Sequence, residues 1–382
     1  MSKKKAEERV QIQGEIAALL ENPAFTSDPD FAGIVVENEP QYRIFLLYDD
    51  NSAKSDLLKL VPSTMRQYVK IKKTKFNRGQ RKSGEDAIKS ALSTAGTEAV
   101  VDYDKRNDTF LIQAPGATAA IVSAAIPATF RGDIVVESSP FPIPEQAYTT
   151  GATTGKAAYA GYDLLPSCSL AFPVTYSFGG QKNRQGILSA GHCFEQSDAD
   201  KYLDWGGGVR TTFESAVWKL SKDSIDVAFL DITGMTTGYW LNYYNPGGKT
   251  GGLASPQGWL RTKNFIRQSA SWIGMYVCKQ GNTTDLTCGE VVSLSWPYTY
   301  FGPNGRFVKV SKSKQANISA GGDSGGPWFT STVVSSTTEV SALGLHVIGD
   351  GSGSTAYALY MPIDRVFSLS GGPTNVKLFT TP

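Results

Sequence analysis

One serine in this chain stands where a nucleophile would be placed. Residues 322–327 read GDSGGP, so Ser324 lies in a tight turn among residues with little or no side chain. An unactivated serine hydroxyl is a poor nucleophile at neutral pH, and catalysis would require a base and an orienting carboxylate elsewhere in the chain. The alternative is a glycine- and serine-rich loop with one acidic residue, because the chain holds 39 glycines.

The candidate base is His192, one of two histidines in the chain. It follows a short β-prone run, residues 186–190 (GILSA), which would deliver it to a bend. Gly191 gives the backbone freedom at that bend, and Cys193 offers a covalent brace. A general base must be held within hydrogen-bond reach of its proton donor, and such bracing serves that need. The alternative is a histidine that only packs in the core or lies on the surface.

Asp226 is the candidate for the third member of the site. It lies in the run 224–230 (SIDVAFL), where burying a carboxylate is costly unless it is paired. A carboxylate bonded to the imidazole fixes the tautomer of the base and stabilises the imidazolium. Asp223 and Asp231 lie in more polar, turn-like surroundings and are predicted to be solvated.

The order of these residues along the chain separates two classes of hydrolase. The pattern GxSxG around Ser324 also fits the nucleophile elbow of α/β-hydrolases, in which the serine precedes the acid and the histidine. Here the order is His192, Asp226, Ser324. The second histidine, His346, does follow the serine, but closely and within a β-rich stretch. The order therefore argues against the elbow.

The first 140 or so residues are predicted to form an α+β region without catalytic chemistry, since they contain no histidine and no cysteine. Hydrophobic periodicity and turn residues predict, in order, a helix, a buried strand, a hairpin, a helix and a strand at residues 6–22, 43–48, 99–113, 117–125 and 134–137. Basic residues accumulate between positions 54 and 89. They are interpreted as a solvated face or a surface that meets an acidic partner domain, with a nucleic-acid patch as the alternative.

A change in composition marks the predicted domain boundary. Residues 140–158 are rich in proline, glycine, threonine and alanine, which is typical of a linker. We therefore predict an α+β region with its linker at 1–150 and a second domain at 151–382. Beyond the linker, short β-prone runs alternate with turn residues, which indicates an all-β sandwich or barrel. One stretch there, residues 363–369, is predicted to be a short closing helix.

Composition excludes several classes of function. The formal net charge is +2, which gives no electrostatic reason to expect nucleic acid or an anionic membrane as a partner. No run of eighteen apolar residues is present, so no spanning helix is predicted. We expect a monomer with no cofactor and no metal site.

Two features bear on the compartment. The four cysteines all follow the predicted linker, and an even number confined to one domain suits an oxidising environment, although four cysteines allow three pairings. The N-terminal residues are basic but no apolar region follows them, so no secretory signal is visible. We expect a secreted protein whose signal segment is missing from the sequence or whose export takes another route.

These motifs carry a family resemblance. The segments LSAGHC at 188–193, DVA at 226–228 and GDSGGP at 322–327 together resemble the chymotrypsin-like serine proteases. The segment VCKQGNTT at 277–284, with CG at 288–289, is similar to the streptogrisin and α-lytic protease branch. The resemblance covers about residues 151–369. More weakly, the first half resembles the pro-region of that branch, which assists folding and inhibits the enzyme before it is removed.

The resemblance implies a fold, a function and a role for each site residue. The catalytic domain would be two six-stranded antiparallel β-barrels, with disulfides Cys168–Cys193 and Cys278–Cys288. Ser324 would attack the scissile carbonyl, His192 would transfer the proton, Asp226 would orient His192, and the backbone N–H groups of Gly322 and Ser324 would form the oxyanion hole. The implied function is a serine endopeptidase that acts on polypeptide substrates through an acyl-enzyme and is made as a precursor with its own pro-region. A serine esterase or acyl hydrolase, and an inactive barrel that serves as a binding module, are the alternatives.

The chain departs from the family near the acidic residue of the turn. Bacterial relatives pair that aspartate with an arginine that follows the first cysteine of the second disulfide, and Lys279 stands there in this chain. We expect an ion pair between Lys279 and Asp323.

A second departure concerns the strand that lines the primary specificity pocket. Many relatives carry Ser-Gly-Gly where this chain has Val347-Ile348-Gly349, so the usual hydrogen bond from that serine to the catalytic aspartate is not expected. Glutamate-specific members carry a histidine at the position of His346, where it can contact the substrate carboxylate. We therefore expect His346, with Gly349 in the same pocket, to confer a preference for an acidic residue before the cut. The alternative is a packed strand histidine without that role.

Overall fold

The computed structural model describes residues 3–28, 30–39, 41–49, 55–138, 163–164, 168–194, 201–204, 210–213, 216–233, 235, 237–243, 258–312, 317–330, 339–350 and 356–381. The predicted linker at 140–158 and the predicted boundary at residue 150 lie outside these residues. No helix within the described ranges is long and apolar enough to cross a membrane.

The described α-helices all lie in the first half: α1 (Lys3–Glu21), α2 (Pro23–Thr26), α3 (Ser55–Leu60), α4 (Ser63–Arg66), α5 (Arg78–Thr94) and α6 (Ala119–Ala125). Short 3₁₀ helices occur at Ala128–Phe130, Gly191–Phe194, Gln268–Ala270 and Ile363–Ser368. The strands of the first half are β1 (Phe31–Glu37), β2 (Arg43–Tyr48), β3 (Val69–Lys73), β4 (Val100–Asp104), β5 (Thr109–Gln113) and β6 (Ile134–Glu137).

The remaining strands follow the predicted boundary. They are β7 (Asp163–Leu164), β8 (Cys168–Ser169), β9 (Pro173–Phe178), β10 (Gln181–Ser189), β11 (Lys201–Asp204), β12 (Arg210–Phe213), β13 (Trp218–Lys222), β14 (Ile225–Asp231), β15 (Trp240–Tyr243), β16 (Gly258–Phe265), β17 (Tyr276–Gly281), β18 (Asp285–Pro297), β19 (Arg306–Lys312), β20 (Pro327–Thr330), β21 (Glu339–Asp350), β22 (Tyr357–Pro362) and β23 (Thr374–Leu378).

The chain divides into two compact units. The first comprises Met1–Phe141 with Ser269–Met275 and Val291–Tyr298, and the second comprises Pro142–Gln268, Tyr276–Glu290 and Thr299–Pro382. Two short segments that follow the predicted boundary therefore belong to the first unit. A single boundary along the sequence cannot describe this discontinuous unit. The identification of residues 1–150 as a removable region stays a prediction.

The first unit contains two sheets of the same design. In each, a hairpin pairs antiparallel and its second strand then pairs in parallel with a third strand, in the orders β1-β2-β3 and β4-β5-β6. A parallel pair needs a crossover connection of about a dozen residues or more. Helices supply it, since α3 and α4 precede β3 and α6 precedes β6.

The elements predicted for this half are confirmed as α1, β2, the β4–β5 hairpin, α6 and β6.

Helix α5 was not predicted, because its basic residues were interpreted as a charged surface. Its start carries a capping box, in which the Asn77 side chain accepts from the Gln80 amide at 2.7 Å and the Gln80 side chain accepts from the Asn77 amide at 2.9 Å. One of the basic residues of this stretch, Arg81, is buried and forms an ion pair with Asp49 at 3.2 Å. That arginine therefore has a structural role within the first unit.

The largest sheet, most of whose residues lie in the second unit, closes on itself. Its strands pair in the order β15-β16-β21-β20-β17-β18-β19-β22, and an additional pairing of β21 with β22 closes a ring of six. The registers recorded around this ring are antiparallel. One six-stranded antiparallel barrel is thus confirmed.

The other large sheet of this unit has five strands in the order β13-β14-β10-β9-β23. Among the described strands it does not close, so the second barrel of the predicted fold is not confirmed. The closing helix predicted at 363–369 is a 3₁₀ helix, Ile363–Ser368, and the sequence analysis missed the strand β23 that follows it and pairs with β9.

Candidate active site

His192 is held by the backbone on both sides. Strand β10 ends at Ser189, and the histidine lies in the 3₁₀ turn Gly191–Phe194. Cys193 forms a disulfide with Cys168, so the turn is tied covalently to β8. At Gly191 a Cβ atom would lie 2.5 Å from the carbonyl oxygen of Leu220, and only glycine permits so close an approach. The side chain of His192 is 5% exposed.

Asp226 lies in β14 and is completely buried. Its Oδ2 accepts from Nδ1 of His192 at 2.7 Å, and its Oδ1 accepts from the backbone N–H of the same residue at 2.9 Å. The Ser221 hydroxyl also donates to Oδ1, at 2.9 Å. A buried carboxylate is tolerated when it is paired and hydrogen-bonded, and these contacts satisfy that need.

Ser324 lies in a turn whose conformation requires glycine. Gly322 has φ of 101° and Gly325 has φ of 85°, both in the left-handed region. A Cβ atom at Gly325 would also lie 2.4 Å from the Ser189 hydroxyl oxygen. The Ser169 amide donates to the Ser324 carbonyl at 2.7 Å. The turn is therefore fixed by contacts that leave the serine side chain directed at His192.

The three predicted residues form one hydrogen-bonded series. Nε2 of His192 lies 2.9 Å from Oγ of Ser324, and the Nδ1 side of the ring faces Asp226. A carboxylate accepts from Nδ1–H, which leaves Nε2 as an acceptor for the serine proton. A base placed at this distance can take the hydroxyl proton as the serine attacks a carbonyl.

The amides around Ser324 divide into two groups. Those of Asp323, Gly325 and Gly326 each donate to a backbone carbonyl. Across the described part of the chain, the amides of Gly322 and Ser324 donate to no recorded acceptor. Two free donors beside a nucleophile are what stabilises a developing oxyanion.

Asp323 and Lys279 form the ion pair that the sequence analysis expected. Lys279 Nζ lies 2.6 Å from Asp323 Oδ2, and both side chains are fully buried. The same carboxylate accepts from the amides of Thr283 at 2.9 Å, Thr284 at 3.0 Å and Ala320 at 3.0 Å. Burial opposes ionisation of Asp323, but the Lys279 ammonium and the hydrogen bonds outweigh it and hold the pKa at about 2.

His346 is buried and has partners on both ring nitrogens. The Trp328 indole donates to Nδ1 at 3.2 Å, and Nε2 lies 2.8 Å from the Ser319 hydroxyl oxygen. Because an indole N–H can only donate, the neutral ring carries its proton on Nε2 and donates it to Ser319. Burial, and secondarily the charge of Lys279, lowers the pKa of His346 to about 3, so the ring is neutral near pH 7.

Gly349, the other residue predicted to line the pocket, faces Ser319. A Cβ atom there would lie 2.5 Å from Cβ and 2.7 Å from Oγ of Ser319. Glycine therefore leaves the space that the Ser319 side chain occupies. Sequence reasoning missed Ser319, Trp328 and Ser221, since none of them stands in a motif and each is recognised only by its contacts.

Two other aspartates are not brought into the series. Asp231 pairs with Arg184. Burial raises the pKa of this aspartate, but the hydrogen bonds from Thr233 and the pairing with Arg184 outweigh it and lower the pKa. Asp223 accepts from the Asn304 amide at 3.3 Å. Both lie on strand ends or turns, in line with the polar surroundings predicted for them. The cysteines are all paired, as Cys168–Cys193 and Cys278–Cys288.

The structure combines a closed six-stranded antiparallel barrel with a serine, a histidine and an aspartate in one hydrogen-bonded series. This is the arrangement of chymotrypsin-like serine proteases. Curated relatives support this class and the streptogrisin branch within it. Glutamyl endopeptidase 2 of Streptomyces griseus is 29% identical over 224 residues, which is 57% of this chain and 96% of that protein. Serine protease 1 of Rarobacter faecitabidus is 28% identical over 172 residues, which is 44% of this chain but only 27% of that protein.

One solved structure similar to this chain is a glutamic-acid-specific serine protease, described as using a histidine triad in substrate binding. It shares 24% identity with a TM-score of 0.41, and the match covers 57% of this chain and 100% of that one. No family model matches the chain.

Proposed function

We propose that this chain is a serine endopeptidase that hydrolyses peptide bonds through an acyl-enzyme on Ser324. One observation carries the proposal: a single imidazole lies 2.9 Å from the serine hydroxyl on one side and 2.7 Å from a buried carboxylate on the other. The relatives named glutamyl endopeptidase and serine protease support the same activity.

The chemistry follows from the positions of these groups. His192 takes the proton of Ser324 as its oxygen attacks the scissile carbonyl, and then gives that proton to the leaving amine. Asp226 holds the ring in the required tautomer and stabilises the imidazolium. The amides of Gly322 and Ser324 receive the oxyanion, and loss of one such donor typically costs about a hundred- to a thousand-fold in turnover. Water then attacks the acyl-enzyme by the reverse of the same steps.

Two alternatives use the same fold. A serine esterase would need the same series of groups, and the names of the relatives favour peptide bonds instead. An inactive binding module is not favoured, because the series is complete and its hydrogen bonds are within ordinary range.

We further propose that the acidic preference expected of His346 acts through Ser319. Both ring nitrogens of His346 already have partners, so direct contact with a substrate carboxylate would require displacing Ser319. The Ser319 hydroxyl accepts from His346 and keeps its own proton to donate. A hydroxyl that accepts one hydrogen bond is a better donor for the next, which favours a carboxylate as the acceptor. The relative named glutamyl endopeptidase supports this preference.

The precursor organisation is part of the proposal. We propose that residues 1–150 are a pro-region that binds the rest of the chain before removal, and that the protein is extracellular. The two disulfides support an oxidising compartment.

A peptide library tests the activity. The purified wild-type chain is expected to cleave internal peptide bonds, with products enriched in glutamate before the cut. Ser324→Ala, purified in parallel, is the matched control and should cleave nothing. Hydrolysis of simple esters without cleavage of any peptide would favour the esterase. A folded wild-type protein that hydrolyses neither would favour the binding module.

A further inference from the structure

The catalytic carboxylate has a third hydrogen-bond donor that does not belong to the histidine. Within the described residues, the donors to Asp226 are Nδ1 of His192, the backbone N–H of His192 and the hydroxyl of Ser221. Ser221 is therefore the donor that can act on the carboxylate independently of the imidazole.

We propose that Ser221 is a positioning residue, which holds the carboxylate of Asp226 in the orientation that His192 requires. The inference rests on the proposed function, because it assigns Ser221 a role in the same hydrolysis. The Ser221 hydroxyl donates to Asp226, so Ser221 acts through that carboxylate and not on the reacting atoms.

The register of one hairpin places the two residues together. Strands β13 and β14 are antiparallel, and Ser221 lies directly opposite Asp226. Side chains directly opposite on an antiparallel pair share one face, with Cβ atoms about 5 Å apart. A serine is long enough to reach the carboxylate from there, and the observed distance is 2.9 Å.

The hairpin turn is anchored, so the register is fixed. Asp223, at the turn, has φ of 53°, and its amide donates to the Phe301 carbonyl at 2.7 Å. The Ser224 hydroxyl donates to the Asn304 carbonyl and accepts from the Arg306 amide, both at 2.9 Å. A slip by one residue would turn Ser221 away from Asp226 and would break these contacts.

The residue before the histidine leaves room for Ser221. A Cβ atom at Gly191 would lie 2.5 Å from the Ser221 hydroxyl oxygen. A side chain at Gly191 would therefore displace the hydroxyl that reaches Asp226. Glycine at position 191 thus allows the turn that carries His192 to pack closely against strand β13, which carries Ser221.

The contacts on Asp226 are divided between its two oxygens. Oδ1 receives the Ser221 hydroxyl and the His192 amide, and Oδ2 receives Nδ1 of the ring. The terminal torsion of an aspartate is broad and two-fold, so hydrogen bonds must select its orientation. Two donors on Oδ1 fix the carboxylate plane and aim Oδ2 at the ring.

The strand across the site supplies no replacement. Val347 has an apolar side chain that is completely buried, and its carbonyl accepts from Ser324 at 3.4 Å. Without Ser221, the donors left to the carboxylate among the described residues are the two of His192, which is the group that it has to orient.

Kinetics of the wild-type chain and three variants test the proposal. Ser221→Ala should lower kcat about tenfold with KM little changed, because hydrogen bonds to charged groups are the strong ones. It should also move the acidic limb of the kcat/KM profile to higher pH, since a carboxylate with one donor fewer holds the imidazolium more strongly. Ser221→Thr, which keeps the hydroxyl on a strand, should retain most of kcat and the wild-type profile.

Ser224→Ala is the matched control, because it removes a hydroxyl from the same hairpin without touching Asp226. It should lower thermal stability and leave the pH profile unchanged, because the bond from the Asp223 amide to the Phe301 carbonyl still holds the turn and the register. The proposal is overturned if Ser221→Ala keeps the wild-type kcat and pH profile, or if Ser224→Ala shifts that profile equally.

A spectroscopic measurement keeps this test separate from that of the proposed function. The downfield proton resonance of the His192–Asp226 hydrogen bond should shift in Ser221→Ala and stay in place in Ser224→Ala, whether or not the chain turns over substrate. A wild-type chain without serine-dependent hydrolysis would refute the proposed function. An unshifted resonance in Ser221→Ala would refute the positioning role.

Discussion

The ammonium of Lys279 lies 2.6 Å from the carboxylate of Asp323, and neither side chain has any exposed surface. Asp323 directly precedes Ser324, so the pair anchors the turn on which the proposed nucleophile and oxyanion amides lie. Three backbone amides complete the cage around the carboxylate. The chain therefore fixes this turn from within, by a lysine on strand β17.

Replacing Lys279 should strongly destabilise the turn and lower the free energy of unfolding. Lys279→Met leaves a buried carboxylate without its counter-ion, which typically costs about 3–5 kcal/mol. We expect that loss in the free energy of unfolding measured with urea, together with loss of activity. Lys263→Met is the matched control, because Lys263 is 63% exposed and pairs only at the surface with Glu339, so its loss should cost less than about 1 kcal/mol. Undiminished activity and stability in Lys279→Met would refute the role of the pair.

The acid stability of the wild type should reflect the same pair. The pKa of Asp323 is lowered from 3.8 to about 2 in the folded chain, by Lys279 and hydrogen bonds that outweigh its burial. The unfolded chain therefore takes up the proton first as the pH falls. The stabilisation is fully present above about pH 4 and is lost as the pH falls towards 2.

The catalytic series was predictable from sequence because each member stands in a local pattern. Ser324 lies in a glycine turn, His192 beside a cysteine and Asp226 in an apolar strand, and chain order then separated the possible folds. The lysine of the ion pair was predicted from the family resemblance, because relatives carry an arginine at the position of Lys279. Six of the twelve described helices and strands of the first half were predicted from apolar runs and turn residues, namely α1, β2, β4, β5, α6 and β6.

The parts that were missed depend on contacts between distant positions. Ser221 is one of many serines, and only the register of β13 on β14 brings it to Asp226. Ser319 and Trp328 gain meaning only from the buried ring of His346 between them. Helix α5 was not predicted, because its basic residues were interpreted as a charged surface. The sequence signal for its start is the capping box at Asn77.

His346 should make stability depend on pH in a defined window. Burial lowers its pKa from 6.5 to about 3, so between these values the unfolded chain is protonated and the folded chain is not. Stability from this residue is present above about pH 6.5 and is lost as the pH falls towards 3, at about 1.4 kcal/mol per pH unit. His346→Gln, whose amide can replace both hydrogen bonds, should remove that slope.

The measurement is the free energy of unfolding in urea between pH 4 and 6, with and without His346→Gln, in a Ser324→Ala background that prevents self-digestion. If the free energy of unfolding depends on pH equally with His346 and with His346→Gln, the histidine is not held neutral in the folded state.

Ser319→Ala should change specificity more than catalysis. Loss of the donor should lower kcat/KM for a glutamate substrate by about tenfold, in keeping with a lost hydrogen bond to a charged group. A matched substrate with leucine before the cut is the internal control and should be affected little. If both substrates lose activity equally, Ser319 supports the fold of the pocket and does not read the substrate.

Processing of the chain should depend on its own nucleophile. Wild-type protein, followed by mass after purification, should acquire a new N-terminus near residues 140–155. Ser324→Ala should remain at full length, because it lacks the nucleophile. A wild-type chain that stays intact and active would count against a pro-region, and equal processing of both chains would point to another protease.

The most direct test of the account is the site of reaction with a fluorophosphonate probe. The folded wild-type chain should form one adduct, located by peptide mass mapping on the segment that contains Ser324. The adduct should be absent in Ser324→Ala and should form much more slowly in His192→Ala, because the hydroxyl then lacks its base. No adduct on folded wild-type protein, or an adduct that persists in Ser324→Ala, would contradict the assignment of Ser324 as the nucleophile.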